Sequence, residues 1–335
     1  MRRILLTMVL ALAPAYGAQD VLLVLLKGAS ALAYYTPEGQ LLGQVQVGTH
    51  PHEMVISPDG KFAYVSDNGT MRIEQAGKGG NSVSVVDIGA RKRVSTISTG
   101  KYHRPHGISY DPVRDYLAVT AENPGQLLLI DAKRRKVIRK FDPKGSTPHM
   151  VSFGPGAVVQ GATGGAEYAF VSNSGGDFIS VVQLTTGAVK TIAAGSRPEG
   201  STLSRNGELL YVANREAASI TVIDAGRQAA IGEIATGKGP VRLAETPDGK
   251  SLVYALMHDH AVGIADLATR REVAQVPVEG DPVSLSVSAD GKWAFAASEE
   301  KDLVHVVSLG ERKLVRSFST AKGAGPDPVI MVRMD

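Results

Sequence analysis

Ser57-Pro58-Asp59-Gly60-Lys61-Phe62-Ala63-Tyr64-Val65-Ser66-Asp67 reads as the end of one strand, a tight turn and a second strand. Asp and Gly supply the backbone angles that a hairpin turn needs, and the run after them is apolar and rich in β-formers. Upstream, Gly48-Thr49-His50-Pro51 leads into an apolar strand at Glu53–Ser57. Downstream, Val83–Asp87 and Val94–Ser98 read as a third and a fourth strand.

The same unit recurs along the chain. A glycine stands two to five residues before a proline at Pro51, Pro105, Pro148, Pro198, Pro240, Pro282 and Pro326, with spacings of 54, 43, 50, 42, 42 and 44 residues. Turns equivalent to Pro58-Asp59-Gly60 occur at Asn206-Gly207, Pro247-Asp248-Gly249 and Ala289-Asp290-Gly291, and the third strand recurs at Leu127–Asp131, Ile220–Asp224 and Val262–Asp266. Periods of this length belong to propeller blades, each a four-stranded antiparallel sheet. Insertions at Gly69–Asn81 and Gly154–Ala166 account for the two long repeats.

The ends set the blade number. Only one strand, Pro328–Val332, follows the last of these prolines, whereas Val21–Leu26, Ala31–Tyr35 and Leu41–Val47 form three strands with no first strand. One plus three makes a seventh blade, and pairing the two ends removes open sheet edges. The sequence therefore predicts an all-β, seven-bladed β-propeller closed by its own termini, a single domain over 18–335.

Met1-Arg2-Arg3, the apolar run Ile4–Ala13 and small residues at Ala15 and Gly17 describe a signal peptide over 1–17, hence a periplasmic or secreted protein with no membrane span after cleavage. An uncleaved anchor is the rival reading, against which the apolar run is short and ends at Pro14. Cysteine is absent, which excludes disulfides, thiolate metal sites and a Cys nucleophile. Without Arg2 and Arg3 the 36 basic residues become 34 against 33 acidic ones, so charge gives no support to a nucleic-acid partner. Basic turns such as Arg91-Lys92-Arg93 and Lys133-Arg134-Arg135-Lys136 are diluted by Asp59, Asp248 and Asp290, and read as a solvated hairpin face.

Tyr64-Val65-Ser66-Asp67, Phe170-Val171-Ser172-Asn173 and Tyr211-Val212-Ala213-Asn214, with Ser57–Lys61 before and Ser82–Asp87 after the first, resemble the YVTN β-propeller repeat. The resemblance covers nearly all of the mature chain. It implies the propeller fold but not one function, since lactonases, surface-layer proteins, redox-enzyme subunits and metal-binding periplasmic proteins share it.

Chemistry concentrates in one slot. The residue after each opening proline falls near the propeller axis, and the seven are His52, His106, His149, Glu199, Val241, Val283 and Asp327. Three imidazoles and a carboxylate in four consecutive blades form a candidate site for Zn or Cu, with His258 and His260 as possible additions, Glu122, Asp67 and Arg215 on the same face, and His50 and His103 as supporting or alternative ligands. The alternative is structural: the histidines hydrogen-bond the backbone of neighbouring blades. Arg197 and Arg242 with His106 offer an anion site. Pro51-His52 and Pro105-His106 are similar to Pro-His segments of lactonase-type propellers. That likeness implies a hydrolase in which His106 or His149 is the base and Arg197 stabilises an oxyanion. The function classes are therefore a scaffold binding a metal or small molecule in the channel, a lactonase-type enzyme using the same funnel, and a partner subunit of a periplasmic redox enzyme.

Overall fold

A computed structural model describes residues 19–72, 74–157 and 164–334. The signal-peptide reading of 1–17 lies outside the described residues. No described helix is long and apolar enough to cross a membrane.

Among the described residues, twenty-eight strands form seven four-stranded antiparallel sheets. The innermost strands are β4 (Pro51–Ile56), β8 (His103–Asp111), β12 (Pro148–Phe153), β16 (Pro198–Leu203), β20 (Pro240–Glu245), β24 (Pro282–Val287) and β28 (Pro326–Met334). Each lies beside the next and β28 lies beside β4, which closes the ring. The closing blade has the order β28-β1-β2-β3, where β1 is Gln19–Leu26, β2 is Ala31–Tyr35 and β3 is Leu41–Gln46. β28 pairs with β1 from Gln19↔Met334 to Leu26↔Pro326, as the two incomplete ends predict.

Burial drives the ring. Strands alternate side chains between their two faces, and in every blade both faces of the middle strands are covered by neighbouring blades. Seven apolar clusters fill the seven gaps between blades, for example Leu23, Tyr34, Met54 and Val65 between the closing blade and the next. The outermost strands have their larger apolar residues half in solvent, as at Val94, Ile231 and Val315.

Two features of the repeat gain a physical cause. The residue before the opening proline is left-handed in six blades: His50, Arg104, Thr147, Arg197, Gly239 and Gly325 have φ of 42, 57, 52, 56, 73 and 60°. That turn brings the chain from the outer strand of one blade to the inner strand of the next. The glycine three residues before the proline answers a close approach. A Cβ on Gly48 would overlap the Asp67 carboxyl, and one on Gly145 would overlap the Asn173 amide. Asp67 in turn accepts from Gly48 N (2.9 Å), Ser82 Oγ (2.7 Å) and Ser84 Oγ (2.9 Å). The acid or amide ending the second strand is thus a structural clasp. Asp67, expected near the site, belongs to this clasp.

Candidate metal centre

The positions after the opening prolines converge as their spacing predicts. His52 on β4, His106 on β8, His149 on β12 and Glu199 on β16 occupy adjacent inner strands, and all four side chains are buried yet line one cavity of about 570 Å³. The rings of His52 and His106 meet edge to face with centroids 4.6 Å apart, and those of His106 and His149 are 3.9 Å apart. Ring closure places Asp327 of β28 beside His52. The slot therefore reads carboxyl, three imidazoles, carboxyl around five blades, with Val241 and Val283 completing the circle.

A second ring was not recognised as such in the sequence. Strand register pairs the opening proline with the last residue of the second strand, as in Pro51↔Asp67 and Pro198↔Asn214, except that Pro105 faces Ala121 within a longer second strand, Tyr116–Asn123. The residues one further on are Asn68, Glu122, Ser174, Arg215, Met257, Glu299 and Lys27, and four of these line the cavity. The signal was available: each stands one residue beyond the YVTN-like strand end.

Glu122 carries the decisive contact. Its Oε1 is 2.7 Å from His106 Nδ1 and 3.8 Å from His149 Nδ1, and its Oε2 pairs with Arg104 Nε at 3.1 Å. A carboxylate only accepts, so the His106 proton sits on Nδ1 and its Nε2 holds the lone pair. His52 Nε2 lies 2.7 Å from the Thr70 carbonyl, which fixes that proton on Nε2 and leaves Nδ1 as the free base. Among the described residues, no hydrogen bond engages Nδ1 of His52 or Nε2 of His106, and His149 Nδ1 has only its 3.8 Å approach to Glu122 Oε1. His106, Glu122 and His149 can each offer a ligand atom within 4.8 Å of the others.

Burial holds all three imidazoles neutral. The pKa values of His52 and His106 lie well below the ordinary value, from burial first and then from nearby Lys27 and Arg242 respectively. That of His149 is lowered to about 4 by burial and by His106. Neutral imidazole is the metal-ligating form. Glu199 stays ionised although burial pushes its pKa up, because His149, Arg215 and Arg242 more than offset that push.

The cavity has an electrostatic preference. Four cationic side chains (Lys27, Arg72, Arg215, Arg242) face seven carboxyl groups (Glu74, Glu199, Asp281, Glu299, Glu300, Asp302, Asp327). The cations are also engaged. Lys27 Nζ is 2.8 Å from Glu299 and 3.4 Å from Asp327, Arg215 is 3.1 Å from Glu199, and two nitrogens of Arg242 share Glu53 Oε1 across the channel, Nε at 2.9 Å. A concave, acid-rich wall concentrates cations.

Other expected residues fall elsewhere. His258 and His260 are exposed, His258 Nε2 being 3.4 Å from Arg215 and His260 Nδ1 2.8 Å from Asp281, and neither lines the cavity. His50 and His103 engage the carbonyls of Lys27 (3.0 Å) and Gly79 (3.3 Å). Arg197 is held by Glu199 at 3.0 Å and Glu74 at 3.1 Å.

The class defined by this geometry is a seven-bladed β-propeller with a polyhistidine channel mouth. No family model matches the chain, and no curated protein matches it. Among solved structures it is similar to hydrazine synthase of Kuenenia stuttgartiensis, at 19% identity and a TM-score of 0.68, covering 85% of this chain and 94% of that one. It is also similar to a functionally unknown protein from Desulfotomaculum acetoxidans, at 12% identity and a TM-score of 0.74, covering 94% and 99% of the two chains. A third is the dihydro-heme d1 dehydrogenase NirN in complex with DHE, at 15% identity and a TM-score of 0.64, covering 94% of this chain and 67% of that one. At these identities the likeness concerns the fold alone.

Proposed function

We propose that the chain is an exported, YVTN-type β-propeller that acts as a binding scaffold and holds a divalent first-row metal ion, Zn²⁺ or Cu²⁺, at its channel mouth. The observation that carries this reading is the trio His52, His106 and His149: neutral, in ring contact, each with an uncommitted nitrogen, on an acid-rich wall. Glu122 and the Thr70 carbonyl orient two of the rings in the way that carboxylates and carbonyls orient metal-binding histidines. Glu199 and Asp327 stand at the two ends of the arc as further oxygen donors. Imidazole and carboxylate together suit zinc and copper.

The anion and hydrolase readings draw less from the geometry. Arg197 and Arg242 are each neutralised by a buried carboxylate, so neither guanidinium is free to receive an anion or a developing oxyanion. Two of the similar structures are redox proteins by name, hydrazine synthase and the dehydrogenase NirN. A periplasmic redox partner is thereby compatible with the scaffold, and no residue of this chain argues for it.

The test is metal content. Mature protein purified without chelator is expected to carry about one equivalent of zinc or copper, lost in His106→Ala/His149→Ala. Metal-free protein that takes up neither ion on dialysis would overturn the reading.

A further inference from the structure

The insertion in the second blade departs from the repeat and lies over the site. Met71, Arg72 and Glu74 line the cavity, although the chain leaves the blade at Gly69 and rejoins it at Ser82. The segment is fastened at several points on other blades. The Thr70 carbonyl accepts from His52 Nε2 at 2.7 Å. Arg104 of the next blade donates to Thr70 Oγ1 and to the Arg72 carbonyl, both at 3.2 Å, while its Nε pairs with Glu122. Farther round the ring, Arg197, just before β16, meets Glu74 Oε1 at 3.1 Å. On the other side, the Met71 terminal methyl comes within 3.6 Å of the Cβ position of Gly325.

We infer that Thr70, Met71, Arg72 and Glu74 form a strap that closes the channel mouth and, through Arg104 and Glu122, positions the imidazoles beneath it. This rests on the metal reading for its purpose but not for its geometry. The strap is connected to two of the three histidines: directly to His52, and to His106 through the series Thr70, Arg104, Glu122. Opening it removes the carbonyl that fixes the His52 tautomer and releases the guanidinium that steadies Glu122. Closure and site organisation are therefore one event.

The fastening suits a strap that opens. Glu74 and Arg197 have side chains 67% and 30% exposed, and ion pairs so exposed contribute little. Glycines flank the segment, with Gly69, Gly77 and Gly79 at φ of 83, 126 and 72°, where other residues are strained. Beyond the imidazoles, the buried Arg242–Glu53 pair spans the channel between β20 and β4, so the strap side is the route inferred for a ligand.

The absence of cysteine permits a clean test. Glu74→Cys/Arg197→Cys is loaded with Zn²⁺ and joined by a short bifunctional methanethiosulfonate. Zn²⁺ transfer to a chromogenic chelator is expected to slow at least tenfold relative to the same protein after reduction, and equal rates overturn the strap. Arg104→Gln is expected to weaken Zn²⁺ binding by about tenfold or more, with partial recovery in Arg104→Lys. Unchanged affinity in Arg104→Gln overturns the positioning role. Should the wild-type chain bind neither Zn²⁺ nor Cu²⁺, the metal reading fails while the strap is still measured. Acylation of His106 and His149 by diethyl pyrocarbonate must then be slower in the joined protein than in the reduced one, and equal acylation rates reject it.

Discussion

His106 Nδ1 donates to Glu122 Oε1 at 2.7 Å, joining the residue after an opening proline to the residue after that proline's partner on the paired second strand. The two are 16 residues apart in the chain and meet because register places Pro105 opposite Ala121. This link turns a buried imidazole into an oriented base with its Nε2 uncommitted. Replacing Glu122 by Gln keeps the shape and removes the charge. Zn²⁺ affinity by calorimetry is expected to fall about 10- to 100-fold. Affinity equal to wild type would show that the carboxylate does not orient the ring.

The Arg242–Glu53 pair spans the channel and is buried, so removing one partner strands the other charge. Glu53→Gln and Arg242→Met are each expected to lower stability by about 3–5 kcal/mol in urea titrations. Arg242→Met/Glu53→Met should recover most of that loss, since no charge is then left unpaired. A double variant as unstable as the sum of the two singles would place the cost in shape instead.

Two glycines with different surroundings separate strain from overlap. Gly60 has φ +71° and open space around its Cβ position, so Gly60→Ala costs only the left-handed conformation, about 1 kcal/mol. Gly48 has no such angle but faces the Asp67 carboxyl, which is itself held by three hydrogen bonds. Gly48→Ala is therefore expected to cost more than Gly60→Ala, about 2 kcal/mol or above. The reverse order in chemical denaturation would contradict the clasp.

The fold was legible because the repeat is local. Turn residues, strand lengths and the proline series all lie within about 45 residues, and the broken blade at the ends follows by subtraction. The four positions His52, His106, His149 and Glu199 were legible for the same reason: one slot repeated by symmetry reaches one axis. Glu122 was placed only on the right face, because its role depends on strand register, which the sequence does not display. His258 and His260, expected as possible additional ligands, lie exposed and outside the cavity lining, since a loop histidine on the same face need not reach the axis. The strap was visible only as an insertion, and nothing in its composition says where it folds.

The neutral histidines predict a pH response. Between the ordinary pKa of 6.5 and the lowered value of about 4, the unfolded chain protonates His149 and the folded chain does not. Its contribution thus weakens stability as pH falls through that window, by about 3 kcal/mol in full. Asp327 acts in the opposite sense, because burial raises its pKa to about 7 and its cost appears as pH rises. The readout is therefore the difference between metal-free wild type and His149→Gln. The variant should lose less stability than wild type from pH 6.5 to 4. Parallel curves would mean that His149 is not held neutral.

Three blades contributing imidazoles to one ion is the claim on which the functional account stands. The electron paramagnetic resonance spectrum of the protein with one equivalent of Cu²⁺, with its electron spin-echo modulation, counts coordinated imidazoles directly. The account predicts three imidazoles, reduced to at most one in His106→Ala/His149→Ala and retained in His258→Ala/His260→Ala. A signal unchanged by the first pair of substitutions, or lost with the second, would contradict it.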